Sequence, residues 1–590
     1  MREQNQQQTP YDGEDESNLN GKLKKRLWIA GGLVAVALAA IPLMDALTKQ
    51  KVEMNSDAQS PSSGKIIKPA SSPETGAIIQ PKPASAPTEQ SSAPITETAN
   101  SAPAAPAESA PATPDLSKTP AIANQQAPRH APSQTRWMPL STSSGGHSMT
   151  TAAIDRRQLL DDCEKHWGAS AAKLYRIAGS QVEAEASGCE VRDHTGRRYL
   201  DFACSYGVFI VGHRHPAVQR RVDAQLAQLA WTPRGAAHPI QQELTERLKA
   251  LAPGDWADVR YMLSGAEAVE HSLRYALAAN APRRRIVITA GAYHGKTLAA
   301  MSILGQRQHE ASFGKLSADV VIVPYGDMAA MREAVGDGAC AVYLEPILGG
   351  AHLRMPPLGY MEDIRALCDR TGTLLVADEI QTAFGRCGKM FAVEYANIEP
   401  DILILSKGLT GGYASIACAM YRKQTLERLP APPDDHDSRG GHPFACAAAL
   451  AALDVIEEEN LLQASVERGQ QLRQGLMQLA RSFPDIIEDV PGIGLMTGLR
   501  LKGAVYESLL SMELGKRNVH TGHSMNERAE RPVLRYYPPL TVSAETIDEA
   551  LKRTREALEA VAALPAWKIS VMRRVTRSMY RLPNALLRKM

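Results

Sequence analysis

Short runs of aliphatic and β-branched residues recur along the second half of the chain and predict buried strands. These runs are RIVIT (285–289), DVVIVPY (319–325), ACAVYLEP (339–346), TLLVADE (373–379) and DILILS (401–406). Helical patterns such as AEAVEHSLRYALA (266–278) and YMEDIRALCDR (360–370) lie between them. Strands that are apolar throughout and alternate with helices are typical of a mainly parallel sheet covered on both faces. The pattern therefore predicts an α/β fold, in which ligands bind at the carboxyl ends of the strands.

The N-terminal part of the chain shows a pattern suited to a membrane. The basic stretch KLKKR (22–26) precedes the 18-residue apolar run LWIAGGLVAVALAAIPLM (27–44), which is close to the ~20 residues that cross a bilayer. We predict a disordered, basic-ended N-terminus (1–26) and a transmembrane helix (27–47), with a cleaved signal peptide as the alternative. The basic residues before the run predict that the N-terminus lies in the cytoplasm.

Residues 48–148 are rich in proline, alanine and serine, and no aromatic residue occurs between position 50 and Trp137. Such a segment buries too little apolar surface to offset the entropy of ordering, so we predict a disordered linker. The apolar run and linker together resemble, in composition, the N-terminal part of bacterial cell-envelope proteins of the sporulation-related-repeat (SPOR) type.

Charge and cysteine content narrow the class of protein. The 590 residues carry a net charge of +2, which gives no indication of a nucleic-acid partner. Eight cysteines occur, all after residue 160 and without a C-x-x-C pair, which argues against a zinc site or a thioredoxin-like motif. Free thiols in a reducing compartment fit this usage better than a disulfide framework.

Two charged residues stand at the ends of predicted strands. Asp378 closes LLVAD and Lys407 closes DILILS. Alone, the carboxylate suits a helix cap and the lysine suits an edge position where its amine reaches solvent. Together, a lysine that can form a Schiff base and a carboxylate that can hold a pyridinium nitrogen protonated are the minimal equipment for pyridoxal phosphate (PLP) chemistry.

Two further stretches supply candidates for cofactor contacts. Ser264 and Gly265 precede a helical pattern whose N-terminus favours an anion such as a phosphate, although Ser-x-x-Glu is also an ordinary capping box. Tyr293 and His294, in AYHGKT after the strand RIVIT, suit either core packing or a ring stacked on a planar cofactor.

The run LLVADEIQTAFGRCGKMFAVEYANIEPDILILSKGLTGG (374–412) resembles the signature of class III aminotransferases of PLP fold type I. The resemblance rests on D-E-x-Q, G-R-x-G, P-D and S-K-G, and it extends over roughly residues 165–560. Supporting segments occur in the family's order: YLDFACSYGVFIVGHRHP, SGAEAVE, AYHGKT, LEPILGG, GGHPFACAAAL and LRYYPPLTVS. Within the class, the chain looks most like the enzymes that act on putrescine and other ω-amines.

The resemblance implies roles around the cofactor ring. It implies that Lys407 carries PLP through a Schiff base and that Asp378 hydrogen-bonds the pyridine nitrogen. Gln381 is expected to contact the ring hydroxyl, Tyr293 to stack on the pyridine face, and His294 to lie at the cofactor.

The resemblance also implies a phosphate site that two subunits share. Gly265 and Ala266 are expected to donate backbone N–H groups to the phosphate, with Glu267 beside the ring. Ser438 stands where the family usually has a threonine that reaches the phosphate from the partner subunit. A homodimer is therefore expected.

Arg535, in LRYYPPL, matches the family's arginine for the substrate carboxylate, and Glu345 is a second expected substrate-binding residue. Besides Ser438, the chain departs from the family in two further places. Leu348 and Gly350 stand in the stretch where many relatives have a glutamate that gates this arginine, and Pro491 stands where relatives often have arginine.

The implied function is a PLP-dependent transaminase that moves an amino group from an ω-amino compound or diamine to a 2-oxo acid or aldehyde by a ping-pong mechanism. Other class III activities (aminomutase, racemase or decarboxylase) and a catalytically silent membrane-anchored adaptor are the alternatives.

The domain organisation follows from these assignments. We predict a PLP-binding large domain (206–455), a smaller α+β domain formed by residues 149–205 and 456–563, and a basic amphipathic tail (564–590). Residues 567–590 carry seven basic residues and no acidic one. They suit either a helix on an anionic membrane, with Ile569 and Met572 on its apolar face, or a solvated tail.

The basic residues before the apolar run predict that the chain after it lies outside the cytoplasm. This prediction conflicts with the enzyme chemistry, because PLP, 2-oxo acids and free thiols are found in the cytoplasm. We expect an enzyme associated with the inner membrane of a bacterium, with its catalytic domain in the cytoplasm.

Overall fold

The structure is a computed structural model that describes residues 156–168, 182–232, 237–305, 319–350, 353–431, 440–524 and 531–578. The predicted membrane span, the predicted linker and Ser438 lie outside these ranges. Among the helices within them, none combines the length and the apolar character needed to cross a membrane.

A seven-stranded sheet forms the centre of the large domain, in the order β4-β10-β9-β8-β7-β5-β6. Its strands are β4 (Trp256–Met262), β5 (Arg285–Thr289), β6 (Asp319–Val323), β7 (Ala341–Leu344), β8 (Leu374–Asp378), β9 (Ile402–Leu405) and β10 (Ala417–Arg422). Strands β5 to β9 pair in parallel, and β10 runs antiparallel to both of its neighbours. The predicted α/β fold with a mainly parallel sheet is confirmed.

Successive side chains along these strands enter different hydrophobic clusters. In β9, Ile402 and Ile404 belong to one cluster, and Leu403 and Leu405 belong to the other. All residues of β7, β8 and β9 are buried. Because strand side chains alternate between the two faces of a sheet, this division explains why the strands are apolar at every position.

Helices cover the sheet and complete the fold. They are α1 (Arg156–Trp167), α2 (Pro216–Gln228), α3 (Pro239–Leu251), α4 (Gly265–Ala279), α5 (Leu298–Ser302), α6 (Met328–Val335), α7 (Tyr360–Thr371), α8 (Lys423–Leu426), α9 (Pro443–Glu458), α10 (Leu461–Ser482), α11 (Ala504–Lys516), α12 (Ala544–Ala562) and α13 (Ala566–Ser578). One short turn, Cys204–Gly207, and two 3-10 turns, Ala392–Tyr395 and Lys407–Thr410, lie in the connections.

Two four-stranded sheets lie beside the central one. The first contains β1 (Glu183–Ser187), β2 (Glu190–Asp193), β3 (Arg198–Phe202) and β14 (Val519–Thr521); the second contains β11 (Ile487–Asp489), β12 (Gly492–Ile493), β13 (Met496–Leu501) and β15 (Val533–Tyr536). Strand β14 pairs in parallel with β3. This pairing joins the two separate parts of the chain that were assigned to the small domain.

The C-terminal helix α13 packs on the folded unit. Ile569 and Met572 contact the larger hydrophobic cluster, whereas Trp567 and Val571 remain exposed. Residues 566–578 are therefore helical, but two side chains of the predicted membrane-facing stripe contact protein instead. Membrane binding by the tail stays a prediction.

Candidate active site

The predicted site residues gather at one edge of the central sheet because parallel strands share the direction of their carboxyl ends. Tyr293 and His294 follow β5, Glu345 follows β7, Asp378 ends β8, and Lys407 follows β9. Helix α4 begins directly after β4 at the same edge, since β4 and β9 both run antiparallel to β10.

The sequence predicted that Lys407 closes the strand, and this prediction is wrong. Strand β9 ends at Leu405, and Lys407 is the first residue of a 3-10 turn (Lys407–Thr410). Its φ of 46° lies in the left-handed region, where a residue other than glycine costs of order 1–3 kcal/mol. The fold thus holds this lysine in a conformation that it would not adopt freely.

The Lys407 side chain is partly covered and forms no hydrogen bond or ion pair with any residue that the structure describes. Burial lowers the pKa of Lys407, and the positive charge of Arg535 lowers it further, against the opposing effect of Asp378 and Glu345. A lowered pKa means that more of the amine is neutral near pH 7, which is the nucleophilic form.

Asp378 and His294 form a buried pair. The Asp378 Oδ2 atom lies 2.7 Å from Nδ1 of His294, and Oδ1 accepts a hydrogen bond from the Ile380 N–H at 3.1 Å. Burial alone would lower the pKa of His294, but its hydrogen bond to Asp378 and the charges of Asp378 and Glu345 raise it above the ordinary value. The pair fixes the orientation of the carboxylate at the strand end.

Both carboxylate oxygens of Glu345 accept hydrogen bonds from backbone N–H groups. Its Oε1 accepts a hydrogen bond from the Tyr293 N–H at 2.8 Å, and its Oε2 accepts one from the Gly349 N–H at 2.9 Å. Burial raises the pKa of Glu345. In this structure Glu345 therefore positions two loops, and its predicted contact with substrate stays a prediction.

In the side-chain amide of Gln381, the nitrogen forms a hydrogen bond and the oxygen has no partner among the described residues. Its Nε2 donates to the Tyr206 carbonyl at 3.4 Å, while Oε1 is buried and has no hydrogen-bond partner among the described residues. A Cβ atom on Gly349 would lie 1.7 Å from that oxygen. Only glycine at 349 permits this position of the amide.

Arg535, on β15, lies beside the same loop. Its Nη1 donates to the carbonyls of Gly349 and Gly350 at 3.2 and 3.1 Å, and its Nη2 donates to the His523 carbonyl. Its guanidinium carbon lies 4.4 Å from the centre of the Tyr206 ring. The arginine is thus held by neutral groups, and the described residues place no carboxylate against it.

The N-terminus of α4 combines a capping box with free donors. The Ser264 hydroxyl accepts a hydrogen bond from the Glu267 N–H, and the Glu267 carboxylate accepts one from the Ser264 N–H at 2.9 Å. The N–H groups of Gly265 and Ala266 have no partner in the described part of the chain. The capping and anion-binding interpretations of this stretch are therefore compatible. A Cβ on Gly265 would lie 2.7 Å from the Ile380 side chain, so the helix start closely abuts the segment after Asp378.

The Tyr293 side chain is 49% exposed, which leaves its ring available to a ligand. Its predicted stacking role, like the other predicted cofactor contacts, stays a prediction.

Two residues of this site received no role from the sequence. Tyr206 contacts Arg535 through its ring and Gln381 through its carbonyl, and His523 supplies a carbonyl to Arg535. Tyr206 is one of four consecutive residues with positive φ, together with Cys204, Ser205 and Gly207. It lies inside the family-like segment YLDFACSYGVFIVGHRHP, which was the only signal for it.

These groups fit a PLP-dependent enzyme of fold type I. The family profile described as aminotransferase class-III matches residues 177–558. The match covers more than half of the chain, so the chain belongs to the class-III aminotransferases. It is an aminotransferase enzyme of a family that binds PLP.

Solved structures of similar fold support the same family. An ornithine aminotransferase from Toxoplasma gondii ME49 is 25% identical, with 70% of this chain and 96% of that chain covered and a TM-score of 0.63. An amine transaminase from an uncultivated Pseudomonas species is 27% identical, with 65% and 95% covered and a TM-score of 0.60. An aminotransferase from Bacillus anthracis is 25% identical, with 69% and 100% covered and a TM-score of 0.62.

The described residues meet the chemical needs of PLP. An unpartnered lysine amine suits its aldehyde, the two free N–H groups at the start of α4 suit its phosphate, and Asp378 suits its pyridine nitrogen. The buried Gln381 Oε1 lacks a donor, which the ring hydroxyl would supply.

We expect Gly349→Ala to weaken PLP binding about tenfold, because the new methyl group displaces the Gln381 amide and one hydrogen bond is lost. The measurement is an absorbance titration of the cofactor-free protein with PLP. Gly515→Ala is the matched control, since a Cβ there meets nothing within 4 Å. Equal PLP affinity in Gly349→Ala and the native chain would rule out a cofactor contact by Gln381 in its observed position.

Proposed function

We propose that this chain is a transaminase that takes an amino group from an ω-amino compound or diamine and passes it to a 2-oxo acid or aldehyde by a ping-pong mechanism. The observation that carries the proposal is Lys407. It is an unpartnered lysine with a lowered pKa beside Asp378 at the carboxyl edge of the sheet. When bound, PLP supplies an electrophilic carbonyl carbon and a ring that stabilises negative charge.

Lys407 would hold the cofactor and then move a proton. With PLP and substrate bound, the Lys407 amine would be the group placed to accept a proton from the substrate and return it. A lowered pKa lets it accept and return that proton near neutral pH, and a positioned base of this kind contributes ~10²–10⁴-fold.

The Asp378–His294 pair would keep a negative charge against the pyridine nitrogen. Nδ1 of His294 lies 2.7 Å from one carboxylate oxygen and would donate its proton to a hydrogen bond there. The carboxylate therefore needs no reorganisation during the reaction, which is the basis of electrostatic stabilisation in enzymes.

Arg535 would bind the carboxylate of a 2-oxo acid. In the free protein its donors are held by the carbonyls of Gly349 and Gly350, which occupy the stretch where many relatives have a gating glutamate. Neutral carbonyls release the guanidinium more readily than a buried carboxylate would. The site would thus admit an acidic acceptor in one half-reaction and an amine without a carboxylate in the other.

The choice of an ω-amine donor is supported by the likeness to the putrescine-type segments and by two similar structures. One is an ornithine aminotransferase and the other an amine transaminase.

Replacing Lys407 tests the base. We expect Lys407→Ala to slow formation of pyridoxamine phosphate from added amine donor by ~10²–10⁴-fold, measured in a single turnover without acceptor. The exposed Lys389 supplies the control variant Lys389→Ala, which should keep the native rate. A Lys407→Ala protein that reacts at the native rate would exclude Lys407 as the base.

Replacing Arg535 tests the acceptor site. We expect Arg535→Gln to raise the KM for a 2-oxo acid by roughly tenfold or more, the loss expected for a charge-assisted hydrogen bond. The KM for an aldehyde acceptor should stay within about twofold, since no carboxylate is bound. Comparing two acceptors in the same variant separates recognition from any loss of stability. Equal increases for both acceptors would argue against carboxylate binding by Arg535.

We also propose that the enzyme acts as a homodimer at the bacterial inner membrane, held by residues 27–47 and with the catalytic part in the cytoplasm. The apolar run (27–44) supports the anchor, and the cytoplasmic nature of the expected substrates supports the orientation, against the direction that the basic stretch KLKKR predicts. The homodimer is supported by the resemblance, which implies that Ser438 reaches the phosphate of the partner subunit. The likeness to SPOR-type proteins is compositional and adds no function.

We expect the native chain to sediment with membranes and to be released by detergent but not by high salt. Val34→Lys combined with Leu38→Lys should release it, because each central lysine costs about 2.5–3.5 kcal/mol in a membrane helix. Ala77→Lys, in the predicted linker, is the control. An intact native chain in the soluble fraction would refute the anchor, and digestion by external protease in spheroplasts would refute the cytoplasmic orientation.

A further inference from the structure

A cavity of about 610 Å³ lies apart from the candidate active site and is rich in arginine. Residues 353–357, helix α10 and the segment from β11 to β13 form most of its wall. Four of its thirteen lining residues are arginines: Arg354, Arg473, Arg481 and Arg500. These residues are distant in sequence, so the fold alone brings their charges together.

The cavity lacks matching negative charge. Asp489 is the one acidic residue of its lining, and it already pairs with Arg500 at 2.9 Å. The neighbouring Glu488 pairs with Arg531. Within the described ranges, no carboxylate forms an ion pair with Arg354, Arg473 or Arg481. Three guanidinium groups therefore share one cavity without counter-charge, an arrangement that a bound anion would stabilise.

Two of the arginines are held in place by the backbone. The Nη2 of Arg500 donates to the Leu353 carbonyl at 3.2 Å, and the Nε of Arg473 donates to the Val490 carbonyl at 3.3 Å. Arg500 is only 8% exposed. Planar guanidinium groups match phosphate oxygens in pairs, and groups that are already ordered lose less entropy on binding.

The rest of the cavity wall is mainly apolar. Leu353 and Val490 are buried there, and Met477, Ala480 and Pro491 add further apolar surface. A ligand that matches this lining carries negative charge at one end and an apolar group at the other.

We propose that this cavity binds an organic phosphate with two or more negative charges and an apolar substituent. The charged end would contact the arginine side chains, and the apolar substituent would lie against Met477, Ala480 and Pro491, which line the cavity and are partly exposed. The existence of this binding site does not depend on the substrates proposed above.

The cavity also shares a wall with the loop that holds Arg535. The Tyr325 hydroxyl, at the cavity, donates to the Pro346 carbonyl at 2.8 Å. The backbone groups of Arg354 and Leu348 exchange two hydrogen bonds of 3.0 Å. A ligand here would therefore stabilise the loop that carries Gly349 and Gly350.

Calorimetric titration of the PLP-loaded holoenzyme tests the proposal, because the cofactor then occupies its own phosphate site. The probes are inorganic pyrophosphate and an alkyl diphosphate. We expect both to bind, with the alkyl compound about tenfold tighter or more because its chain is buried, and both to weaken as sodium chloride is raised. Failure of both probes to bind would overturn the proposal, as would equal affinity for both, since that would remove the apolar subsite.

Two variants locate the binding. The first is a double variant in which two exposed arginines are replaced, Arg473→Gln with Arg481→Gln. It should bind the alkyl diphosphate roughly tenfold more weakly for each charge removed and keep the native midpoint of thermal unfolding. Arg555→Gln, an exposed arginine outside the cavity lining, is the control and should bind as the native protein does. Equal loss in control and test variants would show nonspecific charge binding and overturn the proposal.

A competition experiment tells whether the natural ligand is a lipid headgroup or a soluble phosphate ester. Vesicles that contain cardiolipin, whose headgroup carries two phosphates, are added as competitor to the alkyl diphosphate, with phosphatidylcholine vesicles as the neutral reference. Competition by the anionic vesicles alone identifies a lipid headgroup as the source, whereas absence of competition identifies a soluble phosphate ester.

Discussion

An apolar sheet that is covered on both faces can carry charged groups only where its strands end. Strands β7, β8 and β9 are buried along their whole length, so an ionised side chain within them would be left without water or a partner. At the carboxyl edge the constraint is lifted, because loops and the start of α4 supply donors. The location of Asp378, Glu345 and Lys407 follows from this one requirement.

The two carboxylates at that edge already have hydrogen-bond partners other than Lys407. Asp378 is paired with His294, and Glu345 is used by the backbone N–H groups of Tyr293 and Gly349. No described carboxylate is left to pair directly with Lys407, so burial dominates and the pKa of the lysine falls. The same structure that gives the carboxylates other hydrogen-bond partners therefore leaves the lysine amine unpaired and lowers its pKa.

The sequence predicted the strands from β5 to β9, the helices α4 and α7, and the gathering of charged residues at one edge, because these depend on local apolar patterns. It missed the 3-10 turn at Lys407, since a left-handed φ at a lysine is set by the surrounding fold. Strands β4 and β10 were also missed, because polar residues such as Asp258 and Arg260 interrupt the apolar pattern of β4, and because β10 (ACAMYR) contains no β-branched residue. The contacts of Tyr206 with Arg535, and the arginine-rich cavity, join distant segments that no local pattern connects.

The central claim is that the fold delivers the amine of Lys407 to the cofactor. The most direct measurement is borohydride reduction of the PLP-loaded enzyme, followed by protease digestion and mass spectrometry. We predict a phosphopyridoxyl group on the peptide that contains Lys407 and on no other lysine in stoichiometric amount. A label on a different lysine, or stoichiometric PLP with no covalent label, would contradict the account.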